Sequence, residues 1–305
     1  MANDRLTVAL LSEVFPDDAS RGRLPAALAA ARASGAELVV LPELPLHPWS
    51  PASPRAHVED AEPPQGPRHR LLEAVAREAG VALLGGVIVD DDGVRRNRAL
   101  LFARDGSLLT SYDKVHLPHE EGFWERAHYE PGDVAPAPVW VDGFALGVQL
   151  CSDLNRPELG HALAAAGALA VVGPRATEAA TWPRWRLVLQ ATALTASCYV
   201  LSVTRPRPEQ GVPLGGPSFA VGPDGTVLLE STETLSLVTL ERAAVQQARR
   251  GYPGYLGFRP EVYSAAWKEA ARAMAIEAAA AAEETVDEAA PAAPSSTQPL
   301  EVWRE

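Results

Sequence analysis

Short, continuously apolar runs recur along this chain, separated by stretches of helical periodicity, and that alternation constrains the fold more than any other feature. ELVVLPEL (37–44), VALLGGVIVD (81–90), FALGVQLCSD (144–153) and ALAVVGP (168–174) are short for buried helices. They are also too uniformly apolar for strands with one wet face. Such runs suit strands covered on both sides, as in α/β proteins. Between them, the patterns over 23–36, 67–80, 157–168 and 185–198 predict helices, the first two stopping at Gly35 and Gly80. LTVALLSEV (6–14) predicts an opening strand. RRNRALLFA (95–103), YVLSVTRP, SFAVGPDGTVLLE and LSLVTLER predict further strands, punctuated by Gly and Pro turns. No repeat of 20–50 residues is visible.

Composition excludes several function classes. With 305 residues and 47% hydrophobic content, the chain has material for one large core without disulfides or metal. The formal charge is −12, and seven acids from Glu277 onward stand against Arg304 alone. The remainder is mildly acidic, which argues against a nucleic-acid partner, since phosphate binding needs clustered bases. Cys151 and Cys198 show no CxxC or Cys/His spacing, so no metal and no cofactor is expected. The start, MANDRLTVALLSEVF, lacks the charged and long apolar regions of a signal peptide. No apolar run approaches membrane-spanning length. A cytoplasmic protein with reduced thiols is the expectation. From 283 to 305 the composition shifts to Ala, Glu, Pro and Ser, predicting a disordered acidic tail after a folded domain spanning 1–282.

Three reactive side chains sit at or just beyond the ends of predicted strands: Glu43 in LPEL, Lys114 in SYDKVHLP and Cys151 in LGVQLCSDLNRPE. A carboxylate, an ammonium and a thiol delivered this way suggest a nucleophilic hydrolase that forms a thioester. An amide carbonyl is a poor electrophile, so its cleavage needs an activated nucleophile, oxyanion stabilisation and a proton for the leaving amine. Cys151 supplies the first. Glu43 is the candidate base and later acid. Lys114, with the backbone N–H of Ser152, faces the tetrahedral oxygen. Taken singly, each residue has a plainer reading: a buried cysteine packs as a small hydrophobe, and strand-end charges pair on the surface.

Their joint order resembles the nitrilase (carbon–nitrogen hydrolase) superfamily, in its amidase and N-carbamoyl amide hydrolase branch. The surrounding residues LPEL, YDKVHL and Cys151, Asp153, Pro157 and Glu158 carry the resemblance, which extends through Asn97, GGPSFAVGPDGTVL (215–228) and FRPEVY (258–263). It implies an αββα four-layer sandwich, α/β in class, and a homodimer or higher homo-oligomer. EGFWERAHYEPGD (121–133) resembles the family segment that supplies a second carboxylate. Glu125, eleven residues after Lys114, holds that position, with Glu120 and Glu121 as neighbours that also fit. The loops bearing Trp49 and Trp124 are expected to line the entrance, although tryptophans more often pack than touch substrate, and His116 is expected on the pocket wall. True nitrilases carry Cys-Trp-Glu where this chain has Cys151-Ser152-Asp153, which favours amides over nitriles. Carbamoylases acting on amino-acid derivatives place arginines soon after the Cys-x-Asp; here those positions are Leu154 and Asn155, and Arg175 is the candidate replacement anchor. The expected function is hydrolysis of a small linear amide or N-carbamoyl amide, releasing ammonia. A nitrilase is the competing enzyme, and a catalytically silent interaction protein on the same fold is the reading of a different class.

Overall fold

A computed structural model describes residues 4–288, with side chains as far as Glu277. The chain divides into two compact units, one through Leu256 and one from Gly257 onward.

The first unit holds two six-stranded mixed sheets. One has the order β12-β1-β2-β3-β4-β5, and the other β11-β10-β9-β8-β7-β6. In the first sheet, β1 (Arg5–Leu11), β2 (Leu38–Val40) and β3 (Ala82–Asp91) run parallel. β4 (Val94–Phe102) and β5 (Leu108–Asp113) continue it as an antiparallel meander. β12 (Leu235–Glu241) closes the far edge against β1. The second sheet has its own parallel trio: β7 (Phe144–Val148), β8 (Ala170–Arg175) and β9 (Tyr199–Thr204). β6 (Val139–Val141) flanks it on one side, and β10 (Ser218–Val221) with β11 (Val227–Ser231) on the other.

The alternation of Cβ direction along a strand explains why these runs are apolar throughout. Leu6, Val8 and Leu10 of β1 join Leu146, Val148, Leu201 and Val203 in one core between the sheets. Ala9 and Leu11 point the other way, onto the helices α2 (Leu24–Ala33) and α3 (Pro67–Ala79), with Leu28 and Val75. On the opposite outer face, Val171 and Val200 pack with Leu163 of α5 (Pro157–Ala165) and Leu189 of α6 (Trp182–Ala196). The result is the expected αββα four-layer sandwich. Gly80 ends α3 in the left-handed conformation, φ 61°, which glycine adopts without a Cβ clash.

Two short helices, α1 (Asp18–Arg21) and α4 (Glu125–His128), lie in loops. α7 (Arg242–Arg250) follows β12. The second unit contains α8 (Pro260–Glu288), whose described side chains leave Tyr263, Trp267, Met274 and Ile276 exposed. The boundary expected at 282/283 falls inside α8, where the run of Ala and Glu sustains helical propensity. The remainder of the expected tail, 289–305, lies outside the described residues.

Candidate active site

β2 and β5 point the same way, so the segments that follow them emerge at one end of the first sheet. Open α/β sheets bind ligands beyond the carboxyl ends of their parallel strands. Glu43 follows β2, and Lys114 follows β5 directly. In the second sheet Cys151 comes just after β7.

All three are buried, Glu43 and Lys114 completely and Cys151 to 3% exposure. Lys114 Nζ donates to Glu43 Oε1 at 2.8 Å and to Glu125 Oε1 at 2.6 Å. Asn97 Nδ2 donates to the same Glu43 oxygen at 2.9 Å. The other carboxylate oxygens, Glu43 Oε2 and Glu125 Oε2, are buried acceptors with no protein partner among the described residues. A buried unpaired acceptor is costly unless function needs it. Here it leaves each carboxylate one free oxygen beside the ammonium.

Burial pushes the Glu125 carboxyl up to about 7, with the Lys114 charge pulling against that and the Glu43 charge adding to it. Burial also opposes the Lys114 charge, yet the Glu125 and Glu43 carboxylates outweigh it and hold the lysine well above its ordinary value. The Cys151 thiol is pushed well above its usual range by burial and by the Glu43 charge, with Lys114 opposing. The resting nucleophile is therefore a thiol, and attack requires a base. Its Sγ–H donates to the Ala176 carbonyl at 3.3 Å.

The strand expected to run into the cysteine stops earlier, at Val148. Cys151 instead opens a short 3₁₀ turn, Cys151–Asn155, with φ at 43°. A left-handed non-glycine residue is uncommon and concentrates at functional sites. The first N–H groups of such a turn, Ser152 among them, have no partner within it.

Asp153 fastens this turn to the lysine loop. Its buried carboxylate accepts from Tyr112 Oη at 2.8 Å and from the His116 N–H at 2.9 Å, and lies 2.7 Å from His116 Nδ1. Ser152 Oγ donates to the His116 carbonyl.

Glu43 sits between Pro42 and Pro45, which keep LPELP from continuing a ladder or starting a helix. Its backbone is held from the other sheet. Arg205, just beyond β9, donates from Nη1 to the carbonyls of Glu43 and Leu44, both at 2.9 Å, and from Nη2 to that of His47 at 2.9 Å. Glu209 neutralises the guanidinium through Nε at 2.9 Å and Nη2 at 2.5 Å. The sequence reading missed Arg205. The signal was present: it ends a strand, as Lys114 does.

A cavity of about 520 Å³ opens at Cys151, with Ser152, Phe123 and Trp185 in its wall. A second of about 600 Å³ adjoins it beyond Ser152 and Asn155 and takes in His116. Glu120 and Glu121 line the first cavity but are exposed, so the carboxylate on Lys114 is that of Glu125.

Of the two loops expected at the entrance, the one bearing Trp124 reaches the cavity wall through Phe123, and neither Trp49 nor Trp124 lines it. Trp49 is fully buried, its Nε1 donating to Gly122 O at 2.8 Å and its ring packed on Phe123. Its apolar area is worth more in that core than at the mouth. Trp124 meets His119 edge to face, the ring centroids 5.1 Å apart, and is not in either cavity wall. Arg175 does not reach the cavity: it is wholly buried, donating to Ser202 Oγ at 3.0 Å, Thr177 Oγ1 at 2.8 Å and the Pro217 carbonyl. Among the described residues, no cluster of His, Cys, Asp and Glu has the arrangement to hold a metal ion. No helix there is long and apolar enough to cross a membrane.

Residues 10–250 match the family described as carbon-nitrogen hydrolase. The chain belongs to that family. Among curated relatives of this carbon–nitrogen hydrolase, omega-amidase NIT2-A of Xenopus laevis is 31% identical over 243 residues, covering 75% of this chain and 86% of that protein. Deaminated glutathione amidase of Mus musculus is 30% identical over 218 residues, covering 67% and 68% respectively. Among solved structures, Saccharomyces cerevisiae Nit3, of branch 10 of the nitrilase superfamily, superposes with a TM-score of 0.73 at 26% identity, covering 83% of this chain and 96% of that one. A glutamate-to-leucine mutant of the amidase from Nesterenkonia sp. AN1 superposes with a TM-score of 0.68 at 28% identity over 82% of this chain and 95% of that one; in that mutant the acetamide moiety of fluoroacetamide is covalently added at the active-site cysteine.

Proposed function

We propose that this carbon–nitrogen hydrolase cleaves a small linear amide or N-carbamoyl amide through a thioester on Cys151. The observation that carries the reading is the buried Lys114 ammonium held between Glu43 and Glu125, acting electrostatically on the thiol. The amidase relatives support it, as does the nucleophilic active-site cysteine of the Nesterenkonia enzyme, which takes up the acetamide moiety of fluoroacetamide.

As Sγ bonds to the carbonyl carbon, Glu43 takes the thiol proton on its free oxygen. The carbonyl oxygen becomes an oxyanion facing Lys114 Nζ and the Ser152 N–H. Collapse breaks the C–N bond, and Glu43 returns the proton to the departing nitrogen, which leaves as ammonia. Water, oriented by Glu125 and deprotonated by Glu43, then attacks the thioester carbon. The C–S bond breaks and the sulfur recovers a proton. The net change is amide plus water to carboxylic acid plus ammonia. Glu43 thus serves as base and acid in turn.

We also infer a homo-oligomer acting in a reducing, cytoplasmic compartment. The exposed aromatic and aliphatic side chains of α8 support association, and the two unpaired cysteines support the compartment.

Ammonia release from aliphatic amides, N-carbamoyl amines, N-carbamoyl-amino acids and nitriles tests this, with Cys151→Ala run alongside. Release from amides or carbamoyl amides that vanishes in the variant is expected. Release from nitriles alone, or turnover surviving in Cys151→Ala, would overturn it.

A further inference from the structure

The cavity above the thiol carries an excess of negative charge that the catalytic chemistry does not use. Glu120, Glu121 and Glu178 line it, and Arg184 is the basic side chain in the same wall. None of the four forms an ion pair within the described residues. Arg184 lies in the first turn of α6, whose amino end adds about half a positive charge. One and a half positive charges therefore stand against three carboxylates, and the negative sign wins. Phe123 and Trp185 offer aromatic faces in that wall, which attract cations as well as apolar groups.

The buried arginines at the ends of β8 and β9 cannot reverse this. Arg175 spends its donors on Ser202, Thr177 and Pro217, and Arg205 on the glutamate loop and Glu209. An anionic acyl group would enter a field of its own sign, with Arg184 as the single guanidinium in the cavity wall set against three carboxylates.

From this balance we infer that the enzyme selects linear amides whose far end is cationic, such as ω-amino amides, and discriminates against monoamides of dicarboxylic acids. The inference rests on the amide-hydrolase reading of the same cavity. Binding would set the substrate's ammonium among Glu120, Glu121 and Glu178, with its amide carbonyl at Cys151. Hydrolysis of 4-aminobutanamide would consume one water and give 4-aminobutanoate and ammonia.

Three amides of matched length isolate the charge: 4-aminobutanamide, pentanamide and glutaric acid monoamide. At low salt, kcat/KM for the cationic amide is expected to exceed that for the anionic one by about tenfold or more, the scale of electrostatic complementarity at a partly exposed site. High salt should shrink the ratio, as screening requires. Glu178→Gln combined with Glu120→Gln and Glu121→Gln should bring it down towards one. A ratio at or below one in the wild type, or a ratio untouched by the triple substitution, would overturn the inference. The former would hand the distal group to the adjoining cavity, whose lining includes Arg126 and Arg156 with Glu130. Silence on all three, the neutral amide included, would instead remove the amide-hydrolase reading and this inference with it.

Discussion

Burial beside Glu43 keeps the Glu125 carboxyl protonated up to about 7, against an ordinary value of 4.5. Between those pH values the folded protein binds a proton that the unfolded chain has released, so this residue's contribution to stability falls as pH rises through the window. The window corresponds to roughly 3 kcal/mol. Glu125→Gln cannot ionise and escapes that loss. Urea unfolding from pH 4.5 to 8 should show the variant gaining on the wild type by up to that amount, while turnover drops at every pH. A difference that does not move with pH would contradict the assigned burial. At this scale the sequence was informative about chemistry and less so about placement. Glu43, Lys114 and Cys151 stood out because each follows a strand and because their joint order resembles a known family, and Glu125 because its segment resembles the one that supplies that family's second carboxylate. The burial of Trp49 and Arg175 was not, since tryptophan and arginine serve equally well at a mouth or in an interior, and only distant partners such as Gly122 and Ser202 decide.

At the scale of elements, Arg205 is the tie between sheets. It reaches from the end of β9 to three carbonyls of the loop bearing Glu43, and that loop includes Leu44 at φ 48°. Arg205→Ala removes one partner of a buried ion pair and strands those carbonyls, which should cost about 3–5 kcal/mol. Arg205→Lys keeps the charge but has a single nitrogen where three carbonyls and a carboxylate wait. It should recover part of the stability and little of the activity, with kcat falling more than KM changes. Thermal unfolding with steady-state kinetics on both variants checks this, and full activity in Arg205→Lys would show that the loop holds its shape unaided. The elements themselves were largely readable, because burial on both faces leaves a continuous apolar run. The end of β7 was misread for a physical reason: Gln149, Leu150 and Cys151 stay buried beyond Val148, yet the left-handed turn at Cys151 breaks the ladder. Periodicity does not register a single φ.

For the whole molecule, catalysis depends on two sheets whose shared core is made from opposite ends of the sequence. β12, the last strand, pairs along the full length of β1, the first, and their inward side chains meet Leu146 and Leu201 of the facing sheet. That pairing spans more than two hundred residues, and nothing local in LSLVTLER announces it; the four-layer sandwich was expected from family resemblance, not from pattern. Leu10→Ala, deep in the inter-sheet core, should lower stability by about 2–5 kcal/mol and leave kcat/KM unchanged well below the melting point. A loss of activity without loss of stability there would tie the core directly to the chemistry. The sandwich brings Glu43 and Lys114 from the ends of one sheet's strands, and Glu125 from the short helix α4, to Cys151 at the other sheet, and the central claim is that the thiol becomes acylated. Intact-mass measurement within the first turnovers on a slow amide tests it most directly. The account expects an added acyl mass that maps to Cys151, decays as acid is released, and is absent in Cys151→Ala. Ammonia release with no adduct at any time, or an adduct that survives the substitution, would contradict it.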